Sequence, residues 1–136
     1  MAGYSRKPLV DKLGIKAGHK VAILNAPEGY AGALGELPQR VALSDDLTGA
    51  PLDFIHFFTK RRDELEGEFP RLHGAMAQNG SLWVSWPKGA SKVATDLNEN
   101  VVREIGLRNQ LVDVKVAAVD DTWSGLKFVI RLRDRK

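Results

Sequence analysis

The hydrophobic positions of the chain fall into short, nearly continuous runs, and each run ends at a turn signal. Runs of this kind are typical of strands covered on both faces, as in a parallel sheet with helices above and below it. The pattern predicts four such strands, over Lys20–Leu24, Arg40–Leu43, Leu52–Phe58 and Leu82–Trp86.

The last of these runs is expected to be the central strand. Pro87 has no amide hydrogen, so strand pairing must stop near Trp86. After a loop of small residues, Asp96 is expected to cap a helix, with Glu99 completing a capping box and Gly106 ending the helix. The loop therefore follows the carboxyl end of a central strand, where open α/β sheets bind ligands.

Helical patterns separate the strands. Short helices are predicted over Pro8–Leu13 and around Tyr30–Leu34. A longer helix, capped by Thr59, keeps the helical spacing of its apolar residues to position 76, with a kink or a break at Pro70. Asn79-Gly80 is expected to turn the chain into the central strand.

Towards the end of the chain, apolar and polar residues alternate strictly. Two strands are predicted, over Val112–Val119 and residues 126–133, and the second alternates apolar with mostly basic residues. This pattern indicates a strand with one solvent-exposed face or a strand at the edge of the sheet. The connection Asp120–Gly125 is short enough for a hairpin, so the last strand should be antiparallel to its neighbour. The expected apolar face of the first strand is Val112, Val114, Val116 and Ala118.

The order β-α-β-β-α-β-α-β-β indicates an α/β fold. We expect a three-layer, Rossmann-like domain with a mostly parallel sheet of about six strands and an antiparallel C-terminal hairpin. Right-handed crossovers place the first, third and fourth strands at the centre of the sheet. The 136 residues are expected to form a single domain, with residues 1–7 and 134–136 frayed.

Composition narrows the chemistry. The chain has no Cys, which excludes disulfides and thiolate catalysis, and its three His show no metal-ligand spacing. Twenty basic and 17 acidic residues give a net charge of +3, so nucleic acid is a possible partner but not a favoured one. No signal peptide and no apolar run long enough to span a membrane are visible, which predicts a cytoplasmic protein.

Cations gather at the predicted carboxyl edge of the sheet. Lys60, Arg61 and Arg62 stand at a helix start, where acidic residues are normally preferred, and Lys88 and Lys92 follow the neighbouring strand. An anionic small molecule or an acidic protein surface would explain both clusters. The alternative is a solvated helix face on which the first three cations pair with nearby acidic residues.

Four further residues are candidates for the same edge. His56 is a general base if it reaches solvent, and a hydrogen-bonded core residue if it does not. Trp86 and Trp123 either stack against a ligand or seal the top of the core. Asp120 either caps the hairpin loop or acts as a ligand-binding group.

The segments VAILNAPEGY, LDFIHFF, AMAQNGSLWVSW and DDTWSGLKFVIRL carry a resemblance to a known family. Their layout resembles that of a shortened class I S-adenosylmethionine-dependent methyltransferase. At a finer level a small bacterial domain family of unknown function is similar to this chain over nearly everything from Leu13 onward, through LNAPEGY, DFIHFF, LWVSWPK, ATDL and VDVKVAAVDDTWSGLKF. The resemblance implies a Rossmann-like fold and, for the methyltransferases, S-adenosylmethionine as the cofactor.

The turn after the first strand departs from the methyltransferase pattern. The family's glycine-rich turn is replaced by Asn25–Gly29, in which Pro27 lacks an amide hydrogen and Glu28 places a negative charge where a phosphate would bind. The family's third strand and its helix, against which adenine packs, have little room here. Asp45 and Asp46 stand where the resemblance implies an acid that holds the ribose.

These observations favour a non-catalytic binding module without a cofactor. It would take a small anionic ligand or an acidic partner at the carboxyl edge, as a monomer or homodimer. Its expected site residues are Asn25, Glu28, His56, Lys60, Arg61, Trp86, Lys88, Lys92, Asp120 and Trp123. Two alternatives stay open: a minimal S-adenosylmethionine-dependent methyltransferase with Asp45 or Asp46 on the ribose, and a nucleic-acid-binding protein that uses the basic final strand.

Overall fold

A computed structural model describes residues 8–136 of the chain. Within these residues six strands form one sheet: β1 (Lys20–Leu24), β2 (Ala42–Ser44), β3 (Leu52–Phe58), β4 (Met76–Pro87), β5 (Leu111–Ala118) and β6 (Trp123–Ile130). The accompanying α-helices are α1 (Leu9–Leu13), α2 (Tyr30–Leu34), α3 (Arg62–Ala75) and α4 (Glu99–Arg108). Short 3₁₀ turns cover Gly89–Ser91 and Leu132–Asp134.

The strands are arranged in the order β2-β1-β3-β4-β6-β5. The first four of this order pair in parallel, whereas β6 pairs antiparallel with both β4 and β5. The prediction of a mostly parallel sheet of about six strands with an antiparallel C-terminal hairpin is confirmed. The strands predicted to be central, β1, β3 and β4, lie inside the sheet.

Apolar side chains cover both faces of the sheet, because alternate residues of each inner strand point to opposite sides. On one face α3 and α4 pack through residues such as Phe69 and Ile105. On the other face α1 and α2 pack around Trp83, whose indole Nε1–H donates to the carbonyl oxygen of Leu13 at 2.8 Å. The helices on both sides give the domain three layers.

The boundaries of β2 and β4 differ from the sequence prediction. β2 covers Ala42–Ser44 rather than 40–43, because Arg40 has a left-handed backbone conformation, with φ of 61°, that a strand does not allow. β4 already begins at Met76, so Asn79-Gly80 lies inside the strand and is not the expected turn. A glycine suits this position, since an added Cβ would lie 2.7 Å from the carbonyl oxygen of Leu52.

Both ends of α4 also differ from the prediction. Its N-cap is Asn98, whose side-chain oxygen accepts a backbone amide hydrogen at 2.9 Å, rather than Asp96. The Asp96 carboxylate instead accepts from the amide of Arg62 at 2.7 Å, in the first turn of α3. Gly106 does not end the helix but lies within it, where the ring of Phe128 fills the space that a side chain would occupy.

The helix α3 is a single element in which Pro70 occupies an exposed position, so of the two predicted outcomes, a kink or a break, the break is wrong. Thr59 is not its N-cap, because the helix starts after Arg61. The Thr59 hydroxyl oxygen still accepts from the amide of Arg61 at 3.2 Å and so supports the approach to the helix.

The burial of β5 contradicts its predicted apolar face. Val114 and Val116 are 55% and 51% exposed, since β5 is the outer strand of the hairpin. The pairing with β6 shifts between Asp113 and Lys115, and after this irregularity Ala117 is the buried residue. The alternation predicted for a regular strand does not continue across such a shift.

The end of the chain lies beyond the sheet. β6 ends at Ile130, so Arg131 and Arg133 follow the last strand rather than lying in it. Arg135 Nε donates to the carbonyl oxygen of Ile130 at 3.0 Å, and the Lys136 amide donates to the side chain of Gln78 at 3.0 Å. The expected fraying of residues 1–7 falls outside the described residues. Among residues 8–136, none of the helices combines the length and apolarity needed to cross a bilayer.

The close packing of Gly106 against Phe128 tests the contact between α4 and the sheet. We expect Gly106→Ala to lower the free energy of unfolding by about 1–3 kcal/mol, because the added methyl group must displace a buried ring. Gly67→Ala is the matched control, since Gly67 is exposed on α3 with no atom within 4 Å of an added Cβ. That change should be neutral or stabilise by up to about 1 kcal/mol. Urea denaturation measures both, and equal stability of the two variants would contradict this packing.

Candidate functional site

The turn between β1 and α2, residues 25–29, lies at the carboxyl edge of the sheet and is tied to β3 at both ends. At the first end Asn25 has a left-handed conformation, with φ of 59°, and its Nδ2 donates to the carbonyl oxygen of Phe58 at 3.2 Å. Directly after the turn, Tyr30 Oη lies 2.7 Å from His56 Nδ1. The strand β3 therefore sets the position of the turn.

A buried hydrogen-bond chain runs from this turn into the sheet. It joins Tyr30 to His56, and His56 Nε2 to Ser85 Oγ at 2.7 Å. His56 and Ser85 are fully buried, and Tyr30 is 3% exposed. Burial lowers the pKa of His56 to about 3 and raises the pKa of Tyr30, so both groups are neutral near pH 7. A neutral imidazole donates from one nitrogen and accepts at the other, which satisfies both bonds.

Aromatic contacts extend this chain towards the hairpin. The His56 ring stacks on Phe58 with 4.0 Å between the ring centroids, and Tyr30 meets Phe58 edge-on at 4.9 Å. Phe58 also contacts Trp123 edge-on at 5.3 Å. As the last residue of β3, Phe58 thus joins the turn, the central sheet and the start of β6.

An open pocket of about 630 Å³ is bordered by this turn, the end of β3 and the start of α3. We call it the polar pocket; its lining residues are Asn25, Pro27, Glu28, Phe58, Thr59, Lys60, Arg61, Glu64 and Trp123. Its volume falls in the range of about 300–1,000 Å³ that is usual for small-molecule sites. Its lining includes the aromatic rings of Phe58 and Trp123 and charged groups of both signs.

Some of the charged groups near the polar pocket are engaged by the protein itself. Arg61 and Arg62 form exposed ion pairs with acidic residues of α3, as the solvated-face alternative predicts. Glu64 Oε1 accepts from the hydroxyl of Thr59 at 2.5 Å. By contrast, within residues 8–136 neither the Lys60 ammonium nor the Glu28 carboxylate has a partner. Two charges of opposite sign that line one pocket without pairing are each available to a ligand.

A second pocket, of about 570 Å³, shares Pro27 with the first and lies between α2 and β2. We call it the apolar pocket; its lining residues are Ile23, Ala26, Pro27, Gly29, Tyr30, Ala31, Leu34, Gly35, Leu37, Leu43, Ser44 and Asp45. Asp45 supplies its charge and is exposed. Asp46 is turned away, because its Oδ1 accepts from the hydroxyl and the amide of Thr48 at 2.6 and 3.1 Å. These bonds to Thr48 lower the pKa of Asp46.

The structure brings together some of the residues expected at this site and separates others. Those that line the polar pocket are Asn25, Glu28, Lys60, Arg61 and Trp123. His56 instead lies inside the sheet with both ring nitrogens bonded to the protein, so it is not placed to contact a ligand. Trp86 is 4% exposed and belongs to the core on the α3–α4 face.

The other expected residues occupy neighbouring loops. Asp120 Oδ1 accepts from the amides of Thr122 and Trp123, both at 2.8 Å, so it caps the hairpin loop. Lys88 and Lys92 flank a 3₁₀ turn and do not line the polar pocket. Within residues 8–136 no group of three or more His, Asp or Glu side chains is arranged to hold a metal ion.

The sequence interpretation missed Phe58 and Glu64 as pocket residues. Strand alternation was the usable signal for Phe58, because residues two apart share a face and Phe58 therefore lies on the side of His56. For Glu64 the signal was helical spacing, since residues three apart on a helix are neighbours and Glu64 follows Arg61 by three.

Solved structures with a similar fold include methyltransferases. Magnesium protoporphyrin IX methyltransferase from Synechocystis PCC 6803 with bound S-adenosylhomocysteine is 14% identical over 90% of this chain and 78% of its own, with a TM-score of 0.61. A TehB-like methyltransferase from Corynebacterium glutamicum is 14% identical over 96% of this chain and 91% of its own, with a TM-score of 0.58. The DhpI complex with S-adenosylhomocysteine is 14% identical over 93% of this chain and 84% of its own, with a TM-score of 0.64. No family model and no curated protein matches the sequence.

The fold is that of the class I S-adenosylmethionine-dependent methyltransferases. This methyltransferase fold corrects the main expectation from the sequence. A non-catalytic module without a cofactor is wrong as the favoured interpretation, because the structures that share the fold include methyltransferases, and several hold S-adenosylmethionine or S-adenosylhomocysteine. The finding favours the alternative of a minimal methyltransferase. At 14% identity, the similarity itself establishes the fold.

The burial of neutral His56 makes the stability of the fold depend on pH. The unfolded chain takes up a proton at His56 near pH 6.5, whereas the folded chain does so only near pH 3. The free energy of unfolding should therefore fall as the pH is lowered from about 6.5 towards 3, and His56 contributes at most about 1.4 kcal/mol per pH unit. Urea denaturation across this range measures the slope.

Two variants isolate the contribution of His56 from that of the carboxylates. His56→Gln should flatten the slope, because glutamine takes up no proton in the unfolded chain. His73→Gln, on α3, should keep the wild-type slope. The buried, neutral imidazole would be contradicted by equal slopes in all three proteins.

Proposed function

We propose that this chain is a small S-adenosylmethionine-dependent methyltransferase. The observation that carries the proposal is the pair of pockets that meet at Pro27. One is apolar with a single acid, and the other is lined by charges of both signs. S-adenosylmethionine has the same division, with a nucleoside at one end and a zwitterionic amino acid at the other.

The apolar pocket supports binding of the nucleoside end. Its side chains, Ile23 and Leu43 among them, suit the flat faces of adenine. Asp45, just past the end of β2, is available to accept charge-assisted hydrogen bonds from the ribose hydroxyls. The methyltransferase pattern has an acid at this point of the chain. Asp45 fits that role better than Asp46, whose carboxylate is occupied by Thr48.

The polar pocket supports binding of the amino-acid end. Lys60 offers positive charge to a carboxylate, and Glu28 offers negative charge to an ammonium group. Glu28 would repel the phosphate of a dinucleotide, which is why the turn looks hostile to that class of cofactor. S-adenosylmethionine carries no phosphate, so the same charge is favourable to it.

The bulk of Ala26 and Pro27 changes how a ligand meets the turn. A glycine-rich turn lets a cofactor lie against the backbone, whereas Pro27, which lines both pockets, keeps the ligand one side chain farther away. Contacts then come from side chains at the two ends of the ligand instead of from turn amides. The residues fit S-adenosylmethionine in charge and polarity through this different set of contacts.

When bound, S-adenosylmethionine supplies a methyl group on a positively charged sulfur for transfer to a nucleophilic acceptor. The chain binds and orients the reactants and takes up the acceptor's proton. We assign the uptake of this proton to Glu64, which lines the polar pocket and whose Oε2 has no partner within residues 8–136. The bond from Thr59 to Oε1 orients the carboxylate. Phe58 and Trp123 shield one side of the pocket from water.

Binding of S-adenosylhomocysteine, the product form of the cofactor, tests the proposal without knowledge of the acceptor. At about 100 times its Kd it should add about 2.7 kcal/mol to the free energy of unfolding. Asp45→Asn should weaken binding roughly 10- to 150-fold, the range for a hydrogen bond to a charged group. Asp46→Asn is the matched control and should leave the Kd unchanged, because that side chain faces Thr48. Isothermal titration calorimetry measures the Kd of the wild-type chain and of both variants.

The proposal fails if the wild-type chain binds neither S-adenosylmethionine nor S-adenosylhomocysteine. Equal weakening by Asp45→Asn and Asp46→Asn would remove Asp45 from the ribose site.

A further inference from the structure

Trp123 lines the polar pocket and has an unused hydrogen-bond donor. The residue is 8% exposed and lines this pocket. Its indole Nε1–H makes no hydrogen bond within residues 8–136. In the same part of the chain no fully buried side-chain nitrogen or oxygen lacks a partner, so this nitrogen is not fully buried. Nearly buried indoles usually bond to the protein, and this one leaves its donor to a ligand.

The other two tryptophans of the chain do not share this position. Trp83 Nε1–H donates to the carbonyl oxygen of Leu13 at 2.8 Å inside the core. Trp86 belongs to the core on the α3–α4 face and does not line the polar pocket. Trp123 is the tryptophan that lines the polar pocket, and the other two therefore serve as internal controls.

The hairpin holds Trp123 in place before any ligand binds. Its amide donates to Asp120 Oδ1 at 2.8 Å, and it pairs with Pro87 in the ladder between β4 and β6. Its ring rests edge-on against Phe58. A donor that is already ordered loses little freedom on binding, which favours affinity.

The charges around this donor favour a carboxylate as its partner. Lys60 lines the same pocket with its ammonium group available, and an N–H donor beside a cation prefers a negatively charged oxygen. Glu28 and Glu64 line the pocket too, and they suit a positive group or a proton on the same ligand or its neighbour. A zwitterion or a small organic acid matches this lining.

We propose that Trp123 Nε1–H donates a hydrogen bond to a carboxylate oxygen of a molecule in the polar pocket, with Lys60 as the counter-charge. For the identity of that molecule the inference rests on the proposed function, which offers two sources. One is the amino-acid end of S-adenosylmethionine, and the other is a carboxylic acid that serves as the acceptor. Both present the same group to the same donor.

Proton–nitrogen correlation spectra of the indole groups test this on the wild-type chain, since three tryptophans give three assignable signals. The probes are S-adenosylhomocysteine, 5′-methylthioadenosine, which lacks the amino-acid end, and benzoate. We expect the Trp123 proton to move downfield with S-adenosylhomocysteine, with benzoate or with both, as it gains an oxygen partner. It should stay in place with 5′-methylthioadenosine alone, and the Trp83 signal should stay in place throughout.

The affinity of whichever probe moves the Trp123 signal also tests the role of Lys60. Lys60→Gln should weaken its binding about 10-fold, whereas Lys92→Gln, which removes a cation outside the pocket, should leave binding unchanged. If the Trp123→Phe variant folds, it should weaken binding of the probe to a similar degree. The test by wild-type spectra does not depend on that variant.

Each outcome has a defined meaning. A shift with S-adenosylhomocysteine and none with 5′-methylthioadenosine assigns the carboxylate to the cofactor, and a benzoate shift with 5′-methylthioadenosine already bound assigns it to the acceptor. The inference is overturned if neither S-adenosylhomocysteine nor benzoate moves the Trp123 signal, or if 5′-methylthioadenosine moves it equally. Binding of S-adenosylhomocysteine with Trp123 unmoved leaves the proposed function standing. A benzoate shift without any S-adenosylhomocysteine binding leaves only the inference.

Discussion

The two hydrogen bonds that tie the turn of residues 25–29 to β3 determine the geometry of the whole carboxyl edge. Asn25 bonds to the main chain of β3, and Tyr30 bonds to His56 within the strand. The turn therefore cannot shift without breaking a bond that is shielded from water, and such bonds are costly to leave unmade. Because His56 also bonds to Ser85 of β4, the position of the turn is linked to two central strands at once. Pro27 is held between the two pockets as a consequence, and each pocket keeps its own lining.

The short path from β2 to β3 creates the apolar half of the site. Where the methyltransferase pattern continues with another strand and helix, this chain passes through residues 45–51 and enters β3. The edge strand β2 is only three residues long, and its Leu43 stays 54% exposed as a wall of the apolar pocket. The same shortening leaves Asp45 at the pocket. An apolar surface and an acid thus lie close together at this pocket.

Much of the fold follows from sequence pattern, whereas the chemistry of the site depends on contacts between distant residues. β1, β3 and α2 have the predicted bounds because each is a short apolar or small-residue run with a turn residue at its end. The cap of α3 was not predictable, since the Asp96 carboxylate that serves Arg62 lies 34 residues away. The pairing of Tyr30 with His56 likewise joins residues 26 apart and needs the strand order first. The prediction from strand alternation was wrong for β5. A register shift, which the local sequence does not predict, makes Ala117 the buried residue there.

The central claim is that a turn fixed by β3 divides one ligand between two pockets. A crystal structure with bound S-adenosylhomocysteine is its most direct test. We predict electron density for the nucleoside beside Asp45 and for the amino-acid end near Lys60, with Pro27 between them and the residues of the turn unmoved. Density for the ligand in one pocket only, or on another surface of the molecule, would contradict the claim.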